Sequence, residues 1–197
     1  MYKKIIVLTF LSISSLCFAQ KSDSEAKWYS LAELDFVFPN NKVYFYNDLN
    51  NRILDTELAV DGFLLNSFGL QYSYNYLLFS KFSIGVVTGF QTHTEPNLFL
   101  IKLGGIIKYH FVDKNNIFVY LQDANNFSLD KDKFKSGNNF RLGMGFPVLK
   151  KEGFNLNTNL FFEQNYFKLD GTTPLLSDER PRSLTLKSLG VSVGIKF

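Results

Sequence analysis

Segment after segment of this chain switches between apolar and small or polar residues at every step, a rhythm that strands satisfy and helices do not. The clearest case ends the chain: Leu189, Val191, Val193, Ile195 and Phe197 fall on one side, and Gly190, Ser192, Gly194 and Lys196 on the other. Trp28 to Phe38 sets Trp28, Ala32, Leu34, Phe36 and Phe38 against Tyr29, Leu31, Glu33, Asp35 and Val37. The pattern returns over about Leu64–Tyr76, Phe82–Gln91, Phe99–Phe111, Phe140–Val148 and Phe154–Glu163, and more weakly over Ile117–Phe127. With the carboxy-terminal segment these make eight expected strands.

The links between them fall into two kinds. Leu77–Lys81, Val112–Asn116 and Lys150–Gly153 are short, two of them with the Asp, Asn and Gly of tight turns. Pro39–Phe63, Thr92–Asn97, Ser128–Asn139 and Lys168–Arg182 are mostly longer and polar. Short turns at one end and long loops at the other, with an even strand count, is the layout of an up-and-down antiparallel barrel that crosses a membrane. Strands of about ten residues, rising about 3.3 Å each and tilted by about 40°, span an apolar band of about 25 Å. Within the first long link, Val43–Tyr46 and Ile53–Val60 are extended enough to form a hairpin above the membrane or to raise the count to ten.

Lys3 and Lys4 precede an apolar run from Ile5 to Phe18, and Cys17-Phe18-Ala19 sets small residues at a signal-peptidase site. Residues 1–19 therefore read as an export signal and 20–197 as one barrel domain. Cleavage after Ala19 removes both lysines and the sole cysteine, so the chain that remains is nearly neutral and free of thiols. Without a basic stripe, nucleic-acid binding is not expected. No segment after the signal is apolar for long enough to be a helical span.

Alternation by itself fits a secreted, lipocalin-like barrel with its grease inside as well as a membrane barrel with its grease outside. Residue size separates them: the weaker face repeatedly carries glycine, at Gly69, Gly85, Gly89, Gly104, Gly143, Gly145, Gly190 and Gly194. An eight-stranded barrel has a lumen only just wide enough for side chains, so this face is assigned inward. The strand charges Glu33, Asp35, Lys102, Lys108, Arg141 and Glu163 share it and are expected to form a lumen charge network that closes the barrel to ions. Tyr76, Phe82, Tyr109, Phe111, Phe154 and Phe197 are expected to ring one membrane interface, and Phe38, Phe90, Phe99, Phe140 and Tyr166 the other. Pro147, which lacks a ladder donor, is tolerable only through its place near a turn.

Chemistry has few candidates. His93 and His110 lie at no metal-binding spacing, and no cofactor is expected. Thr92-His93-Thr94-Glu95 invites comparison with outer-membrane lipid A deacylases, yet a histidine and an acid without an identifiable serine do not make a triad. The chain is read as no enzyme. Lys131, Lys133 and Lys135, interleaved with Asp130, Asp132 and Phe134, read as a solvated loop tip, with lipopolysaccharide phosphate as the competing ligand.

The signal peptide, the strand rhythm and the terminal phenylalanine together resemble the small bacterial outer-membrane β-barrel family, of the OmpA/OmpX-like and opacity-protein type. That resemblance implies an assembly signal in the last strand, at Leu189, Gly190, Val191, Val193, Gly194, Ile195 and Phe197, read by the outer-membrane assembly machinery. It further implies residence in the outer membrane as a monomer among lipids and lipopolysaccharide, with a structural or surface-interaction role. The competing expectations are a narrow barrel that binds or passes a small hydrophobic ligand or lipid, and a lipid A-modifying enzyme.

Overall fold

The computed structural model describes residues 27–60, 65–112, 116–176 and 178–197. The expected export signal lies outside these residues. The described chain forms β1 (Trp28–Asn47), β2 (Ile53–Glu57), β3 (Ser67–Phe79), β4 (Phe82–His93), β5 (Leu98–His110), β6 (Phe118–Ser128), β7 (Ser136–Lys151), β8 (Phe154–Lys168) and β9 (Arg180–Lys196). Every pairing is antiparallel, each strand from β3 to β9 bonds to the next, and β1 bonds to both β3 and β9. The sheet therefore closes into an eight-stranded barrel in which no full-length edge is left.

Register fixes the shape. From Trp28 the pairs lead through Tyr76, Ile84, Ile107, Leu121, Leu142, Phe162 and Leu189, and return to β1 at Phe38 rather than Trp28. One circuit thus climbs ten residues. With strands about 4.8 Å apart and a rise of about 3.3 Å, a shear of ten over eight strands sets the tilt at about 40°. The same geometry places Trp28, Tyr76, Phe82, Tyr109, Phe111, Phe154 and Phe197 near one level, and Phe38, Phe90, Phe99, Phe140 and Tyr166 about 20–30 Å above it.

The first link departs from the reading as a long loop. β1 does not stop at Phe38 but runs on to Asn47, with Asn40 bulged out between Pro39 and Asn41. Its upper part takes β2 as partner where β3 has ended. This is the hairpin above the barrel, not a pair of extra staves, so the ten-stranded alternative does not hold. Prolines elsewhere follow the same logic: Pro147 adjoins a register shift before Leu149, and Pro181 adjoins one opposite Phe45 and Tyr46. Each proline in a barrel strand sits where the ladder already slips, so its missing N–H breaks no regular bond. β3 begins at Ser67 and continues to Phe79, which leaves a two-residue turn before β4; the expected start near Leu64 lies outside the described residues.

Inside and outside are those of a membrane barrel. Ile84, Val86, Leu103, Leu142 and Leu160 point outward with 45%, 59%, 50%, 51% and 52% of their surface exposed, while Lys102, Lys108, Arg141 and Glu163 are buried inside. A water-soluble barrel of the lipocalin kind would have these two sets exchanged. So continuous an apolar exterior exceeds what a soluble surface carries. β6 explains why its alternation is faint: Asp123 and Asn125 share the outward face with Val119, Leu121 and Phe127.

Candidate functional site: the filled lumen

Inward glycines are what let the lumen fill. Gly143 stands opposite Tyr120, Gly145 opposite Phe118 and Gly190 opposite Phe161 in the register. A Cβ at Gly143 would lie 2.6 Å from the Tyr120 ring, and one at Gly145 or Gly190 would overlap the facing Phe118 or Phe161 ring. Each aromatic lies across the strand next to its own, over a residue with no side chain to displace it. Phe161, seated in this way over Gly190, supports the guanidinium of Arg141, whose Cζ is 3.9 Å from its ring centroid.

Arg141 is the hub of the charged lumen. Its Nη2 donates to Asp35 Oδ2 at 2.7 Å and to Glu163 Oε2 at 2.6 Å, and its Nε donates to the same Glu163 oxygen at 3.0 Å. Lys102 Nζ donates to Glu163 Oε2 at 2.9 Å from the other side. Amides add to the shell: Gln91 and Asn165 donate to Glu163 Oε1, and Gln122 bridges Gln71 and Asn139, while Asp35 Oδ1 and Gln122 Oε1 have no hydrogen-bond partner among the described residues. Desolvating these charges is costly, and mutual pairing offsets much of that cost.

Two of the six expected network charges stand apart. Glu33 accepts from Gln71, Asn159 and Ser192, all neutral donors. Lys108 donates to the Ser73 hydroxyl, at 3.5 Å, and lies over the flanking rings of Tyr29 and Phe118. Among the described residues no carboxylate oxygen comes within 4.0 Å of its Nζ, so the expected bridge from Lys108 to an acid is not formed. Strand parity puts Lys108 on the right face but too far along β5, toward the short-turn end.

Above the charges lies a second plug that sequence reading missed. Tyr44, Leu98, Leu100, Phe134, Phe167, Leu169, Leu184 and Leu186 form one buried apolar cluster. Phe134, which sits among the loop lysines in sequence, tucks inward with its ring centroid 5.0 Å from that of Phe167. The loops over it are fastened: Lys135 N–H donates to the Lys168 carbonyl, Thr173 N–H to the Asp132 carbonyl, and Tyr44 O–H, Leu175 N–H and Leu176 N–H all to Glu179 Oε1. The available signal was apolar residues of lumen parity at the loop ends of β5, β8 and β9, where a water-filled mouth would be polar.

The histidines are both inward and buried. His93 packs edge-on against Phe167 at 5.8 Å, while the Glu95 carboxylate, two residues on, reaches Lys42 at 4.0 Å instead. His110 Nε2 lies 3.3 Å from Ser83 Oγ and 3.4 Å from the Tyr29 hydroxyl, which bond each other at 2.7 Å. That contact, unforeseen in sequence, lies at the short-turn end beneath the charged network. Among the described residues no group of histidine, cysteine and acidic side chains is arranged to hold a metal ion.

The loop lysines are solvated, and Lys135 Nζ donates to the Lys131 carbonyl. At the hairpin tip, Asp48 is held below the ordinary carboxylate range, first by the backbone N–H of Arg52 and further by the Arg52 side chain. From Leu189 to Lys196 the last strand is paired on both sides, to β8 and to β1, and Phe197 exchanges backbone bonds with Ser30.

No family model matches the chain, and no curated protein does. Among solved structures it is similar to outer membrane protein AlkL in lipid bilayers, at 14% identity over 91% of this chain and 94% of that one with a TM-score of 0.46. It is similar to the outer membrane protein OprG from Pseudomonas aeruginosa, at 11% identity over 87% and 96% with a TM-score of 0.43. Neisserial surface protein A gives 13% identity over 85% and 97% with a TM-score of 0.42. Likenesses this distant assign neither family nor role, so function has to be argued from the barrel's own residues.

Proposed function

We propose that this protein is a non-conducting bacterial outer-membrane barrel that serves as a rigid anchor, holding a fastened loop cap at the cell surface for a structural or interaction role. The observation that carries the reading is two plugs in series. The ion-paired centre at Asp35, Arg141, Glu163 and Lys102 fills the membrane-level lumen, and the apolar cluster around Phe134 and Phe167 seals the loop end. The exposed apolar exterior supplies the membrane, and the short turns with both chain ends face the periplasm. Passage of a hydrophobic ligand along the axis would have to displace paired charges and then a packed core, so the transport reading is the weaker one. Catalysis is disfavoured as well, because His93 faces Phe167 and not Glu95.

In this reading the amino-terminal signal is cleaved near Ala19, the last strand is handed to the assembly machinery, and the protein works as a monomer among lipids and lipopolysaccharide. The test is conductance of the purified, folded protein in planar bilayers, beside membrane fractionation. Closed traces with outer-membrane recovery are expected. Steps of porin size would overturn the anchor.

A further inference from the structure

The outer wall carries one patch that does not suit a bilayer. On β6, Asp123 and Asn125 point outward and are exposed, and Asn138 does the same on β7 beside Asn125. Tilt and register place Asp123 about 8 Å below the middle of the upper aromatic ring, within the apolar band, and Asn125 and Asn138 step up from it toward that ring. Among the described residues Asp123 is the only charged side chain on the outward face between the two rings, since Lys187 on β9 stands level with the upper one.

Nothing in the chain answers these groups: among the described residues none of the three side chains has a hydrogen-bond or ion-pair partner. An acceptor left bare in hydrocarbon is costly, and an ionisable residue at such a depth marks a contact that supplies what its own chain does not. The wall beside Asp123 is also hollow. Its neighbour on β5 is Gly105, the one outward glycine of the described barrel strands, where a Cβ would touch only the Gly85 carbonyl oxygen, at 3.8 Å. Rings or backbone press on the inward glycines, whereas Gly105 has room for a side chain and carries none. Leu103 on β5 and Phe140 on β7 flank the patch with apolar surface.

We propose, on the premise of the outer-membrane anchor above, that this strip binds one lipid whose acyl chains are amide-linked and hydroxylated close to the head group. An ionised carboxylate only accepts, so the partner of Asp123 must donate below the head-group level. Ester-linked glycerophospholipids have no donor there, while an amide N–H and a chain hydroxyl supply two. Asn125 and Asn138, whose amides both donate and accept, then meet the sugar or phosphate oxygens above. A second copy in the same membrane has no outward cation to offer at this height among the described residues, whichever face it turned. The hollow over Gly105 receives the chain that carries the donors. One seated lipid ties the rigid barrel to its own leaflet along β5, β6 and β7.

Two synthetic glucosamine lipids of equal chain length test the site, one with amide-linked, hydroxylated chains and the other with ester-linked chains that lack the hydroxyl. Each is offered to the detergent-folded protein, and bound molecules are counted by native mass spectrometry. The natural chain should retain one amide lipid about tenfold more tightly than the ester lipid, the worth of one charge-assisted hydrogen bond. Asp123→Leu should erase that preference. Because leucine suits a lipid-facing position, this variant should fold as well as the natural chain, as heat-modifiable gel mobility checks. Asn125→Leu with Asn138→Leu gives an independent lesion and should weaken retention of both lipids. Equal retention of the two lipids by the natural chain, an unchanged preference in Asp123→Leu, or a dimer that Asp123→Leu abolishes would overturn the site. Planar-bilayer traces that stay closed in the natural chain and in Asp123→Leu leave the anchor standing even where the lipid preference is absent, so the two readings fail separately.

Discussion

Replacing Arg141 by methionine tests the lumen where its energy is concentrated. Methionine keeps much of the stem that packs on Phe161 but removes the Nε and Nη2 donors by which Arg141 reaches Asp35 and Glu163. The two acids then fare differently. Glu163 keeps Lys102 at 2.9 Å together with the Gln91 and Asn165 amides. Asp35 is left, among the described residues, with no cation within 4.0 Å. Stranding a buried charge in this way costs about 3–5 kcal/mol. With a urea slope of about 2 kcal/mol per molar, the unfolding midpoint should fall by about 1.5–2.5 M. Trp28, the sole tryptophan and stacked on Tyr74 at 4.9 Å, reports the transition by fluorescence in detergent micelles. Adding Asp35→Asn removes the stranded charge, so the double variant should recover about half of the loss. A single variant within about 1 kcal/mol of the natural chain, or a double variant no more stable than the single, would refute charge stranding as the source of the cost.

On the exterior, Val86 points outward near mid-height, and Val86→Arg should cost about 2–4 kcal/mol in the same titration while Val86→Leu is neutral. Gly190→Val would drive a side chain into the Phe161 ring and through it disturb Arg141, with a loss of about 1–3 kcal/mol or failure to show the folded band on unheated gels. At the hairpin tip, the folded Asp48 carboxyl titrates below its unfolded value, so its contribution is complete at neutral pH and is lost as pH falls through the depressed folded value. The Arg52 amide resonance should therefore hold its position through the ordinary aspartate range and move only below it, and Asp48→Asn should abolish that movement.

Much of this architecture was legible because period two leaves little freedom: once glycine marked the inner face, Glu33, Asp35, Lys102, Lys108, Arg141 and Glu163 had to point inward. What parity cannot show is height. Lys102 and Lys108 share a face of one strand, yet one lies level with Glu163 and the other beside Tyr29, because the tilt of the strands decides which residues meet across the lumen. In the first link the hairpin of Val43–Tyr46 with Ile53–Val60 was legible, but the end of β1 was placed too early for a local reason: the strand absorbs Pro39 in a bulge and continues upward. Phe134 was misjudged for a nonlocal one, since its lysine neighbours advertise solvent while the Phe167 ring that receives it arrives from another strand. The Ser83, Tyr29 and His110 contact joins three strands and has no trace in linear spacing.

The closing seam has a consequence for how the molecule comes into being. From β3 onward each stave pairs with the one made just before it, contacts that a growing chain can form as short hairpins. Only the junction of β1 with β9 unites the two extremities, with Ser30 and Phe197 exchanging backbone bonds at 3.2 and 3.0 Å. Its long sequence separation makes it the slowest contact to reach. Until it forms, the half-made sheet carries two raw margins and a lumen of unsheltered charges, so completion of the final stave commits the whole structure at once.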